Sequence, residues 1–172
     1  MLNFFLHMLW FLKFFIFIWI VMHIRKAEIR DLDSDLFLFY QENLQFHAQA
    51  RPDYFYLWDV EDNRQTLKEF IETWSFLLLE DDFWKILWFV YYIFKDEGKK
   101  IIWIKELFIA KTERKKWYGK YLINEIKKIW RENGCVGIEF CCWWFNKNAL
   151  EMYQHIWMNV QKFILESDLV PF

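Results

Sequence analysis

The residues best suited to chemistry lie between Ile101 and Glu132. There an apolar run, Ile101–Ile109, leads through Arg114-Lys115-Lys116-Trp117-Tyr118-Gly119-Lys120 into an amphipathic run over about 117–133. A strand, a basic turn with Gly near its end and a helix start bring unpaired backbone N–H groups to one place, and that arrangement receives a phosphate or diphosphate. Lys115, Lys116 and Lys120 add positive charge there. Taken alone those lysines describe an ordinary solvated face. The anion reading therefore rests on the flanking elements as much as on the charge.

The elements that must hold this turn can be read from periodicity. His23–Glu28 alternates weakly and predicts a short strand. Asp31–Ala50 carries Leu32, Leu36, Phe39, Tyr40 and Leu44 at helical spacing, with Asp31 or Asp33 as cap and Arg51-Pro52 as stop. A loop over 54–63 and a helix over 64–73 follow. Three strands are expected at 75–80, 85–94 and 101–109, joined by turns at 81–84 and 95–100. A helix ends at Asn133-Gly134, a strand covers 136–142, a helix covers 146–156 with Asn146 as N-cap, and a last strand covers 159–166. The order β-α-α-β-β-β-α-β-α-β describes an α/β fold of the α+β kind, a mixed sheet with helices on both faces.

The chain has 172 residues and a net charge of −2, which suits one domain over 22–172 and gives no nucleic-acid footprint. Cys135, Cys141 and Cys142 have neither disulfide nor metal-ligand spacing, so no metal is expected and a reducing cytoplasm is the expected setting. Residues 1–21 form an apolar extension, read as a membrane anchor, a partner-binding helix or a spurious start preceding Met22. Only the anchor reading makes the chain a membrane protein.

The basic turn resembles the acyl-CoA diphosphate loop of the GCN5-related N-acetyltransferases, the GNAT superfamily, whose pattern is Arg/Gln-x-x-Gly-x-Gly/Ala. Arg114 and Gly119 fit it, and Trp117 stands in the first Gly slot. Asn146-Lys-Asn-Ala149-Leu-Glu-Met-Tyr153 resembles a second family motif at the right spacing. The resemblance implies an N-acetyltransferase that passes acetyl from acetyl-CoA directly to a primary amine, on a small molecule or a protein, in a ternary complex. It implies that Leu107, Phe108 and Ile109 pair with the pantetheine arm, that residues 114–120 hold the diphosphate, and that Asn146 orders the cofactor or a water. It implies Tyr153 as acid for the leaving thiolate and Glu106 as base for the amine. The slot of a Glu used by some relatives holds Cys141. A homodimer is compatible with the family. The alternative is an inactive binding module, its diphosphate loop blocked by Trp117. His47 and His155 are expected to be packing residues, Cys141 and Cys142 small core residues, and Trp143-Trp144-Phe145 core or pocket wall.

Four family glycine slots, at Trp84, Trp88, Trp117 and Trp157, all hold Trp, in a chain with 12 Trp and only 4 Gly. A single nucleotide separates GGA from UGA. The pattern implies that some of these codons are UGA decoded as Gly in the source, which makes position 84 a turn residue and position 88 a strand residue with no side chain.

Overall fold

Long β-rich runs set the frame. The computed structural model describes residues 22–56, 59–73, 75–116, 118–156, 158–162 and 164. Trp117, Trp157 and the extension 1–21 therefore lie outside the described residues. Strands β1 (His23–Lys26), β2 (Ser75–Glu80), β3 (Ile86–Asp96) and β4 (Lys100–Ile109) pair antiparallel in that order, and β5 (Gly137–Phe140) joins β4 in parallel. The helices are α1 (Asp35–Ala50), α2 (Val60–Thr73), α3 (Tyr118–Glu132) and α4 (Lys147–His155).

The chain separates into two compact units, one running to Cys141 and the other beginning at Cys142. The first holds the sheet and α1–α3. In it Phe76 and Leu78 of β2, Phe89 and Tyr91 of β3 and Phe108 of β4 cluster with Leu36, Phe37 and Tyr40 of α1 and Leu67 and Ile71 of α2. Each such fully buried side chain contributes roughly 1.5–3 kcal/mol by leaving water. Alternate residues of the strands point to the opposite face. Helix α3 buries Leu122, Ile123 and Ile126 and lies against β4 and β5, the crossover that a parallel β4–β5 pair requires.

Several local expectations change in detail. Ser34, not an aspartate, caps α1, its side chain accepting from the Leu36 N–H at 3.2 Å. Residues Ile29–Asp33 form a 3-10 turn instead, because Asp31 is already engaged by the Glu28 N–H and by Arg25. Helix α2 begins four residues earlier than the periodicity gives, since Asp59 accepts from the Asp62 N–H at 2.9 Å and supplies a cap inside the expected loop. Gly134 ends the α3 turn at φ +65°, with the Gly134 and Cys135 N–H groups reaching back to the Arg131 and Trp130 carbonyls. Residues 159–162 have no regular structure, and 163 and 165–166 of the expected last strand lie outside the described residues.

Two Trp positions stand out. Trp84 sits at φ +63° in an Asx-type turn whose Asp81 carboxylate accepts from the Phe83 and Lys85 N–H groups, and its indole is 70% exposed. Trp88 is fully buried on β3, and its Nε1–H has no acceptor among the described residues.

Candidate functional site

Glu106 and its surroundings depend on an irregularity in the sheet. Tyr91 of β3 faces Glu106 of β4, while the next residue, Tyr92, faces Ile104. Lys105 is therefore an extra residue on β4, a β-bulge that turns Glu106 onto the face carrying Tyr91 and Phe108. There the carboxyl meets α1. It accepts from the Tyr91 hydroxyl at 2.8 Å and from the Asn43 side-chain amide. One turn on, His47 Nδ1 donates to the Asn43 carbonyl at 2.9 Å, and the ring packs 5.0 Å from Phe55. Tyr40, Asn43 and Tyr91 are all buried.

The electrostatics of this cluster follow from its partners. Burial raises the Glu106 carboxyl above its ordinary range, and the Tyr91 hydroxyl, the charge of His47 and the Asn43 amide oppose that only in part. Burial, with the nearby Glu106 charge, also raises the Tyr91 and Tyr40 phenols, so both remain protonated donors. A carboxyl raised above its ordinary range, with neutral donors fixing its orientation, is suited to act as a general base.

The basic turn lies at the end of the same strand. Arg114 Nε donates to the Ile109 carbonyl at 3.0 Å and folds the turn back on β4. Lys115 takes the left-handed conformation at φ +65°, and α3 begins at Tyr118. Tyr118, Gly119 and Lys120 make the first turn of α3, the end of a helix that carries its positive dipole. Carboxylates already occupy part of this region. Buried Glu113 pairs with Lys116 at 3.0 Å and Lys85 at 3.8 Å, and Glu42 of α1 pairs with Lys111 at 3.1 Å. Burial works to raise the Glu113 carboxyl, but Lys116, Thr112 and Lys85 outweigh it and hold it below its ordinary value.

The edge of β4 bears on whether the chain suits an extended ligand. Pairing with β5 stops at Ile104. Over Leu107–Ile109 the strand pairs with β3 on one side and has no strand partner on the other among the described residues. An open edge of main-chain groups that leads directly to a helix N-terminus fits an amide-containing arm ending in a diphosphate.

Glu106, Leu107, Phe108, Ile109, Arg114, Lys115, Lys116, Tyr118, Gly119 and Lys120 thus all fall in the first unit, along one strand–turn–helix path. Asn146 and Tyr153 fall in the second. There Asn146 caps α4, accepting from the Ala149 N–H at 3.3 Å, and Tyr153 is half-buried on the helix. Cys141 is exposed and Cys142 only half-buried, so neither is a core residue; β5 ends at Phe140 and releases them. Trp144 is 70% exposed, while Trp143 stacks on Phe145.

Sequence reasoning missed Tyr91 and Asn43, and took His47 for a packing residue. One signal was present: Tyr40, Asn43 and His47 recur at helical spacing on the stripe that should be apolar. Among the described residues no group of His, Cys, Asp and Glu could hold a metal ion, and no helix is long and apolar enough to cross a membrane.

Comparison with known proteins agrees with this fold. A tetramutant of the BH1408 protein from Bacillus halodurans superposes with a TM-score of 0.75 at 20% identity, covering 86% of this chain and 99% of that one. Glucosamine-6-phosphate N-acetyltransferase from Arabidopsis thaliana gives 0.62 at 15% identity, covering 87% and 99%. An aminoglycoside acetyltransferase from an uncultured soil metagenomic sample gives 0.60 at 16%, covering 87% and 95%. A search of curated proteins returns no match. The sequence profile of the Acetyltransferase (GNAT) family matches residues 21–156, most of the chain. With the bulged strand, its open edge and the basic turn into α3, that match establishes the chain as a GNAT-family acetyltransferase.

Proposed function

We propose that the chain transfers acetyl from acetyl-CoA to a primary amine by direct attack, within a ternary complex and without an acyl-enzyme. The observation that carries this reading is Glu106, an acid pushed upward by burial and oriented by two neutral donors, on the strand whose free edge leads to the basic turn. In this reading Glu106 takes the proton from the acceptor ammonium, directly or through a water. Main-chain groups of Leu107, Phe108 and Ile109 pair with the pantetheine amides. Arg114, Lys115, Lys116 and Lys120, with the N–H groups of Tyr118 and Gly119, hold the diphosphate. Tyr153 returns a proton to the thiolate, and Asn146 orders the cofactor or a water. Trp117 is counted with these cofactor-binding residues by its place in the sequence.

The test is release of free coenzyme A thiol from acetyl-CoA with a panel of small primary amines and peptide N-termini. The wild-type chain turns over with at least one amine. Glu106→Gln lowers kcat/KM by about 100-fold or more, the range for loss of a general base. Tyr153→Phe lowers kcat by about 10-fold or more while leaving acetyl-CoA affinity in place. Equal turnover by the wild type and Glu106→Gln overturns the assignment of the base.

A second reading has its own support. Glu113 and Glu42 already neutralise several cations of the turn, which favours a module that binds acyl-CoA weakly and transfers nothing. Equilibrium titration of acetyl-CoA into the chain decides between the two. Saturable binding together with turnover sustains the enzyme, and binding without turnover by any amine sustains the module.

A further inference from the structure

We propose that Asn43, Tyr91 and His47 are positioning residues for Glu106: the Asn43 amide and the Tyr91 hydroxyl fix the carboxyl, and the His47 ring, bonded one turn on to the Asn43 main chain, completes the cluster. This rests on the reading of Glu106 as base. The arrangement is specific. Helix α1 presents Tyr40, Asn43 and His47 on one face, at positions i, i+3 and i+7. Asn43 is buried in a helical stripe otherwise made of Leu36, Phe37 and Tyr40, where a polar residue has a cost unless it is hydrogen-bonded. Its side-chain amide donates to the Glu106 carboxyl, and its main-chain carbonyl accepts from His47 Nδ1. From β3, Tyr91 donates to the other carboxyl oxygen.

The charged and titratable groups that act on Glu106 are therefore Tyr40 and His47 from α1 and Tyr91 from β3. Only His47 can be a cation. A protonated His47 lowers the Glu106 carboxyl against the effect of burial, as do the Tyr91 and Asn43 hydrogen bonds. In the step assigned to this site one proton passes from the acceptor ammonium to the carboxylate. The electron pair of the broken N–H bond stays on nitrogen for attack on the thioester carbonyl.

The experiment is carboxyl titration of the full chain carrying carbon-13-labelled glutamate, followed by NMR, with Glu106→Gln identifying the resonance. Wild-type Glu106 titrates above the ordinary glutamate range. Tyr91→Phe and His47→Gln each move the midpoint up by roughly half a unit or more, and Asn43→Asp, which sets two carboxyls together, moves it by about one unit or more. The acid limb of kcat/KM moves the same way in each variant. Midpoints unchanged in folded Tyr91→Phe and His47→Gln overturn the proposal. Uniform loss of rate across pH with fixed midpoints assigns these residues a packing role instead. If the midpoints move while the wild type acetylates no amine, the network stands and the acetyl-transfer reading falls.

A separate observation carries a second proposal: in the protein as made in its source, positions 84 and 88 hold Gly. Trp84 occupies a left-handed backbone conformation that a Trp reaches only at a cost and Gly reaches freely. Trp88 buries an indole N–H that nothing accepts among the described residues. Both belong to a chain in which Trp outnumbers Gly by 12 to 4. A UGA codon decoded as Gly accounts for all three. Mass spectrometry of protein purified from the source organism, including the tryptic peptide Ile86–Lys95, tests this. A peptide lighter by the difference between a Trp and a Gly residue supports the proposal, and the mass of Trp at position 88 overturns it there.

Discussion

Asp31 and Glu106 are two carboxyl groups drawn into the same unit, and they titrate in opposite directions. Burial works to raise Asp31, but Arg25 grips both its oxygens at 2.7 Å and the Glu28 N–H adds a third bond, so it falls below its ordinary value. The same Arg25 also holds buried Glu80. Glu106 has no guanidinium. Its bonded partners are a phenol and an amide, so the effect of burial prevails and its value rises. The charge of the donor separates the two carboxyls. A carboxylate locked by a cation ties β1 to β2 and remains ionised. One held by neutral donors is not locked in its ionised form and can exchange a proton with a substrate.

The contrast can be broken most sharply by removing each partner in turn. The largest effect expected is Glu106→Gln, which lowers kcat/KM by about 100-fold or more and flattens the pH dependence of stability. The sign follows from the raised value. Glu106 favours the folded state most below its unfolded value, and that contribution is lost as pH rises through its folded value. Urea unfolding across pH 4.5 to 8 therefore shows a steeper decline for the wild type than for the variant. Next is Arg25→Met, which strands Asp31 and Glu80 in the interior and costs about 3 kcal/mol of unfolding free energy by the same method. For Asp31 the sign is reversed: its contribution is present above its unfolded value and lost as pH falls through its lowered folded one. In Arg25→Met that acid-side loss disappears. The smallest effect expected is Trp84→Gly, which gains about 1 kcal/mol by relieving the left-handed turn, less whatever its stacking on His23 contributes. A destabilised Trp84→Gly protein removes the argument for glycine at that position.

How much of this was legible beforehand varied with the kind of signal. The strand–turn–helix path was readable because hydrophobic period and charge change together between Ile109 and Tyr118. Gly134 and Asn146 were readable as helix ends because their chemistry is local. The Ser34 and Asp59 caps were hidden. Each competes with neighbouring aspartates of equal propensity, and only the tertiary engagement of Asp31 decides the first. The support of Glu106 was hidden for a stronger reason. Tyr91 lies 15 residues away and Asn43 lies 63 residues away along the chain, so no spacing rule connects them. Glycine demand at position 84 was visible as a family slot, but the backbone angle supplies its cause.

The inserted Lys105 has a consequence beyond local shape. Side chains on a regular strand alternate, so with Lys105 paired in the ladder rather than bulged Glu106 would stand in line with Ile102 and Ile104, against the oily side that α3 covers. The bulge absorbs the added residue, so Glu106 faces as it would if it followed Ile104 directly. Deleting Lys105 therefore leaves the acid on its own side, whereas drawing Lys105 into the regular ladder turns the acid to the opposite side without altering a single reactive group.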